Sequence, residues 1–218
     1  MDFPLAGGST TVLFLCWEGP MTRGDEAHEH ILDQALGLAS LEGLAGLSIG
    51  RVASAVGLSK SGFYAHFGSK ERLQIAILRH ASDRFVEQVV APALKAPRGE
   101  PRVIALLRFW EAWAHADFLP GGCPFLVASV ELDDQPGPLR ELVVQAQADW
   151  LDTLAEATRI AIAEGHFHAQ VDADQVAYEL FSLAYGYHFQ ARLFPSVDIK
   201  TRLHTAIQAV LDRARSTS

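Results

Sequence analysis

"SIGRVASAVGLSKSGFYAHF", residues 48–67, decides how the rest of this chain is read. Two short runs with helical apolar spacing flank Gly57, and each is preceded by a serine in N-cap position: Ser48 before the first, Ser59 before the second. The spacing predicts a helix from Ile49 to Val56, a break at Gly57 and a second helix from Ser59 to about Phe67. Two short helices joined by a glycine-containing turn form the helix-turn-helix pattern, in which the first helix braces and the second lays its N-terminal residues in the major groove.

The apolar residues sort inward. Ala53 is small enough for the helices to cross closely, while Val52, Val56, Leu58 and Phe63 face the core. That leaves Ser59, Lys60, Ser61, Gly62, Tyr64 and His66 outside, at a helix N-terminus whose amides and dipole favour phosphate. Short hydroxyls and lysine reach phosphates and base edges, and Tyr64 offers a phenol or a ring face. Gly62 costs about 1 kcal/mol of helix propensity relative to Ala, which either close approach of DNA or close helix packing explains. Lys70, beside the Ser69 cap of the next helix, and Thr22 with Arg23, ahead of the first, are placed to hold flanking phosphates.

Outward from this stretch the chain reads as helix almost throughout. A first helix runs from about Asp25 to Leu41 and ends at "EGLAGL"; a fourth starts at the Ser69 cap and runs to "APAL", where Pro92 ends or kinks it. "KAPRGEP" is a connection. Further helices are expected at 101–117, 122–133, 138–164, 173–193 and 197–214, the fourth of these opened by Asp172 with Gln175 at capping-box spacing. Residues 173–193 are apolar over several faces, so that helix is buried on more than one side, and subunit association is the economical way to bury it.

Residues 31–78, "ILDQALGLASLEGLAGLSIGRVASAVGLSKSGFYAHFGSKERLQIAIL", resemble the DNA-binding domain of the TetR family of bacterial transcriptional regulators. Ser48, Val52-Ala53, Gly57-Leu58-Ser59, Tyr64, His66-Phe67 and Ser69-Lys70 stand at the family's spacing, and residues 121–138 resemble one branch of it. The resemblance implies an all-α fold of about nine helices: an N-terminal three-helix helix-turn-helix domain, then a helical ligand-binding and dimerisation domain. It implies a homodimer formed through the last two helices, a pseudo-palindromic double-stranded DNA operator, and repression relieved by a small molecule. Carried over by position, Ser48, Arg51, Lys60, Ser61, Gly62, Tyr64, His66 and Lys70 face DNA. It further implies an effector cavity, for which Trp110, Trp113, Phe118, Cys123, Phe125, Trp150, Phe181, Tyr185 and His188 are the candidate lining; an apolar or aromatic effector suits them. The expected division is a tail at 1–20, disordered or an upstream extension, then a DNA-binding domain at 21–84 and an effector and dimerisation domain at 85–218.

Bulk properties narrow the alternatives. The chain has 218 residues, 49% of them hydrophobic, and a net charge of −8, which argues against indiscriminate coating of nucleic acid. The acidity lies mainly beyond residue 85; from 21 to 84 seven basic residues balance seven acidic ones. Cys16 and Cys123 have no metal-binding spacing, which suits a reducing cytoplasm, and "VLFLCW" at 12–17 is too short to span a bilayer. In "GHFHAQVD", His166 and His168 with Glu164 and Asp172 have the ligand types for a metal, but alternate positions at a helix end diverge, and no metal or other cofactor is expected. Cys123 lacks a cationic neighbour in sequence and is read as inert. No nucleophile, base and orienter occur together and no P-loop is present, so no enzyme is expected. The rival is a helical small-molecule enzyme or sequestering protein whose helix-turn-helix is only structural; it would lack salt-dependent, sequence-selective DNA affinity.

Overall fold

The structure, a computed structural model, describes residues 23–216, with side chains from Ala27 onward. Thr22, the Arg23 side chain, Cys16 and the expected tail lie outside the described residues. Nine helices follow one another among those described: α1 (Arg23–Gly46), α2 (Ile49–Ala55), α3 (Lys60–Phe67), α4 (Lys70–Phe85), α5 (Glu100–Ala114), α6 (Pro124–Leu132), α7 (Pro138–Ala163), α8 (Ala173–Leu193) and α9 (Ile199–Ala214). After Phe85 the α4 rod continues through a π-helical turn, Val86–Val90, and a last α turn, Ala91–Ala93. The fold is all-α, as the periodicity predicts.

Serine caps set the first boundaries. Ser48, Ser59 and Ser69 each accept a hydrogen bond from the backbone N–H three residues on, of Arg51, Gly62 and Arg72. Asp172 and Asp198 do the same for α8 and α9. The capping box at 172–175 is only half formed, because the Gln175 amide donates to Glu179 instead of reaching back to residue 172.

The first helix differs from its expected end. It runs to Gly46, but Gly43 interrupts it with φ 73° and ψ 167°, a conformation nearly confined to glycine. α5 stops at Ala114, short of 117, because His115 leaves helical geometry and its Nδ1 pairs with the Glu111 carbonyl. Pro92 accounts for the π turn. In a regular α-helix its ring would press on the carbonyl of Gln88, and a wider turn moves that carbonyl away.

α1, α2, α3 and the start of α4 form one unit: α2 packs on α1 and α3, and α3 and α1 both pack on α4. Leu36, Val52, Phe63, Leu73 and Ile77 are fully buried in it, each worth about 1.5–3 kcal/mol of burial. α4 then passes into the second unit, where α7 lies against α4, α5, α6 and α8, and α8 packs on α9. Phe167 and Arg215 form an isolated antiparallel bridge that ties the α7–α8 connection to the end of α9.

Two backbone joints connect the units. The Glu131 carboxylate of α6 accepts the N–H of Leu44, 2.8 Å away, just past the Gly43 break. The Ser40 hydroxyl accepts the N–H of Gly121, where a Cβ would stand 1.6 Å from the Ser40 carbonyl oxygen, so only glycine fits.

Candidate nucleic-acid interface and effector compartment

The turn between α2 and α3 is built by Val56 and Gly57, the latter at φ 69°, and is closed by Leu58 N–H donating to Ala53 C=O at 2.9 Å. Phe63 and Phe67 stack at 4.8 Å and point into the core, and His28 of α1 stacks on Phe67 at 5.1 Å. With those rings inward, Lys60, Ser61, Tyr64 and His66 are exposed on α3, Tyr64 at 51%. The Ser59 hydroxyl lies 3.1 Å from that of Ser61 and caps Gly62 at the same end.

Gly62 has two candidate explanations in the sequence, and the geometry removes one. A Cβ there would come within 4 Å only of the Ser59 hydroxyl, at 3.3 Å, so no neighbouring helix requires a glycine. Lys60 leans its stem across Gly50 of α2, where a Cβ would meet Lys60 Cε at 3.0 Å.

Two of the expected DNA-facing cations are occupied. Arg51 Nε donates to Glu42 at 3.0 Å, and Lys70 Nζ donates to the Ala45 carbonyl at 2.7 Å. Gln74, buried on α4, donates to the Leu44 carbonyl at 2.6 Å. Glu131, Lys70 and Gln74 thus converge on residues 44–45, the last turn of α1 past the Gly43 break, which delivers the chain to α2. Sequence spacing signals none of this, since the partners stand 25 to 87 positions apart.

The expected effector-lining residues divide into three groups. Trp113, Phe125 and Trp150 meet Phe85 of α4 edge-on, at centroid distances of 5.4, 6.4 and 5.2 Å. Phe118 joins through Trp113 at 5.6 Å and carries the Arg84 guanidinium 4.9 Å above its ring. Cys123 is buried beside Trp113; burial pushes its thiol pKa up, with the Trp113 side chain acting in the opposite sense, so the thiolate is disfavoured. Phe181 and Tyr185 instead continue to Phe189 as a ladder along α8, with successive rings 5.6 Å apart. Trp110 packs against Tyr187, and His188 lines a separate crevice. Phe85, the hub of the first group, has no local mark distinguishing it from the other apolar residues of α4.

The histidine-rich loop is committed to structure. His166 Nδ1 accepts the N–H of Glu100 at the start of α5, and Gly99 leaves room for that ring. His168 N–H donates to the Ala214 carbonyl, Glu164 pairs with Arg98 at 2.8 Å, and Asp172 caps α8. Among the described residues no cluster of three or more His, Cys, Asp or Glu has metal-holding geometry, and no described helix is long and apolar enough to cross a membrane.

Residues 31–77 match the family described as bacterial regulatory proteins, tetR family, and residues 99–210 match the tetracyclin repressor-like C-terminal domain. No curated protein matches the chain in sequence. Among solved structures, a TetR transcriptional regulator from Chloroflexus aurantiacus is 30% identical, with a TM-score of 0.80 over 90% of this chain and 100% of that one. A transcriptional regulator from Saccharomonospora viridis in complex with choline shares the fold at 21% identity, TM-score 0.77, over 89% of this chain and 100% of its own. AibR in complex with isovaleryl coenzyme A and operator DNA does so at 20% identity, TM-score 0.69, over 86% and 99%. With the C-terminal match spanning half the chain and the helix-turn-helix match preceding it, this protein belongs to the TetR family of transcriptional regulators.

Proposed function

We propose that this regulator acts as a cytoplasmic homodimeric repressor, holding a pseudo-palindromic operator with two copies of α3 and releasing it when a small apolar or aromatic effector binds. The DNA-binding domain is 21–84 and the effector and dimerisation domain 85–218. The chain works by binding and carries out no reaction of its own.

The observation that carries this reading is the state of α3. Its aromatic side is locked into the core while Lys60, Ser61, Tyr64 and His66 remain outside, and Gly62 has no packing reason to lack a side chain. A bare backbone at a helix N-terminus suits close approach to phosphate. Ser48, Ser59 and Gly62 then serve through backbone and cap geometry. Thr22 and Arg23 supply the flanking contact; Arg51 and Lys70 reach phosphate by exchanging their present partners.

Support for the dimer comes from α8 and the turn after it, where Tyr178, Phe189, Leu193 and Phe194 are exposed, Leu193 at 69%. A run of large apolar side chains in water is stabilised by a second copy of itself. The effector's apolar body belongs in the compartment around Phe85, because that ring rides on α4, the helix that begins in the DNA-binding unit. A ligand that spreads Trp113 and Trp150 from Phe85 displaces α4 and, through Glu131 and Gly121, the end of α1. The two α3 helices then lose a separation of about 34–36 Å, one turn of B-DNA.

The test is binding of purified protein to the DNA immediately upstream of its own coding sequence and to unrelated DNA of equal length, across a salt series. Selective binding that weakens steeply with salt is expected. Salt-insensitive or equal binding to both, with no selective site recovered from a random-sequence pool, refutes it.

A further inference from the structure

A cavity of about 270 Å³ opens between the end of α5 and the last turns of α8, lined by Ala114, His115, Tyr187, His188, Ala191 and Arg192. It is distinct from the aromatic compartment around Phe85. His188 is 3% exposed and lines the cavity, and among the described residues its ring nitrogens have no hydrogen-bond partner; the Nδ1 and Cε1 edge of the ring lies toward Gly122. The nitrogens are not sealed off from the crevice, so whatever fills it can reach the imidazole. The ring is seated deliberately: Gly122, at φ 82°, makes room for it, since a Cβ there would lie 2.4 Å from His188 Cε1.

The surrounding charge says what the occupant is. Arg192 uses one guanidinium nitrogen on the Pro120 carbonyl at 3.1 Å and keeps the others. His115 Nε2 pairs with the Tyr187 hydroxyl at 3.1 Å, and its Nδ1 with the Glu111 carbonyl at 2.9 Å. The nearby carboxylate, Glu111, is already engaged by Lys200 at 2.6 Å and by His204 at 2.7 Å. The cavity therefore holds positive charge with no free anion facing it. Burial first, then Arg192 and His115, press the His188 pKa down to about 4.

We propose that this crevice binds a small organic carboxylate, its oxygens held by Arg192 and His188 and its hydrocarbon part resting on Ala114 and Ala191. The guanidinium fork matches a carboxylate in geometry as well as charge. An anion there reverses the local field on His188, so the imidazole takes up a proton from solvent as the ligand enters. Because His188 adjoins Phe189 on α8, with ring centroids 5.6 Å apart, occupancy is felt at the exposed apolar side of that helix. The site goes beyond the repressor reading and its aromatic compartment, and stands or falls apart from them.

Calorimetric titration of the full chain with sodium acetate, butyrate and benzoate tests it, with benzamide as the neutral isostere of benzoate and inorganic phosphate as a second anion. At least one carboxylate is expected to saturate with a Kd below about 1 mM, and to bind about tenfold or more weakly to R192Q. Affinity should rise as pH falls from about 7 to about 5, with proton uptake visible as a dependence of the heat on buffer. H188Q should keep the fold, checked by circular dichroism, and lose the proton uptake. Three results overturn the assignment: no carboxylate saturates, benzamide or phosphate binds more tightly than every carboxylate, or R192Q binds as the parent does. Operator DNA plays no part in this readout, so its outcome is separable from that of the repressor reading.

Discussion

Replacing Glu131 by Ala removes the acceptor for the Leu44 N–H, a charge-assisted hydrogen bond of 2.8 Å across the two units. Such bonds contribute about 1.5–3 kcal/mol, and because Glu131 is half-buried the loss should be about 2 kcal/mol. Gly43→Ala attacks the same joint from the other side. Its backbone conformation is nearly closed to other residues, at a cost of about 2 kcal/mol, and its new Cβ would stand 1.9 Å from Glu131 Oε1, expelling the carboxylate. The single change should therefore cost about 4 kcal/mol, the strain together with the same lost bond. Combining the two changes loses that bond only once, so the double variant should also sit near 4 kcal/mol, a coupling of about 2 kcal/mol. Urea unfolding of the four proteins, with midpoints and slopes compared, measures it. Additive losses, or a Glu131→Ala effect under about 0.5 kcal/mol, would refute the claim that this contact joins the units.

Three further expectations concern other parts of the molecule. Lys60→Ala and Tyr64→Ala should weaken operator binding while light scattering shows an intact dimer, and Lys60→Ala should reduce the salt slope by about one. Leu193→Asp, at the most exposed apolar position of α8, should shift the chain to monomer in sedimentation without loss of helicity. His188 should make the protein acid-sensitive. Its pKa is about 4 in the fold against 6.5 ordinarily, so as pH falls the unfolded chain takes the proton first and stability declines between those values. The full shift is worth about 3 kcal/mol, reduced to about 2 kcal/mol where the ring opens on the cavity; the decline, followed by urea midpoints, should be smaller in His188→Asn.

What the sequence disclosed is what is encoded within a few residues. Ser48, Ser59, Ser69 and Asp172 cap helices because a cap and its amide are two or three positions apart, and Gly57 turns because its φ is a local matter. The grouping of Trp113, Phe125 and Trp150 around Phe85 was only partly legible: the aromatic types are visible, but which ring meets which depends on helix crossings. Arg51 and Lys70 look like free cations in the sequence because Glu42 and the Ala45 carbonyl reach them only after folding. The joint at Leu44 was invisible for the same reason, one of its partners being a backbone N–H that no residue type announces.

The π turn at Val86–Val90 bears on how relatives of this chain are compared. A wide turn is what a helix becomes when it accepts one residue without breaking. Homologues with a regular α-helix here should be one residue shorter between the helix-turn-helix and Pro92, so the gap in an alignment belongs inside this rod and not in the "KAPRGEP" connection. Placed in the connection, the gap would shift by one the register of the residues between the turn and the connection, so that Val89 and Ala93, buried on this rod, would be compared with neighbours that face another way.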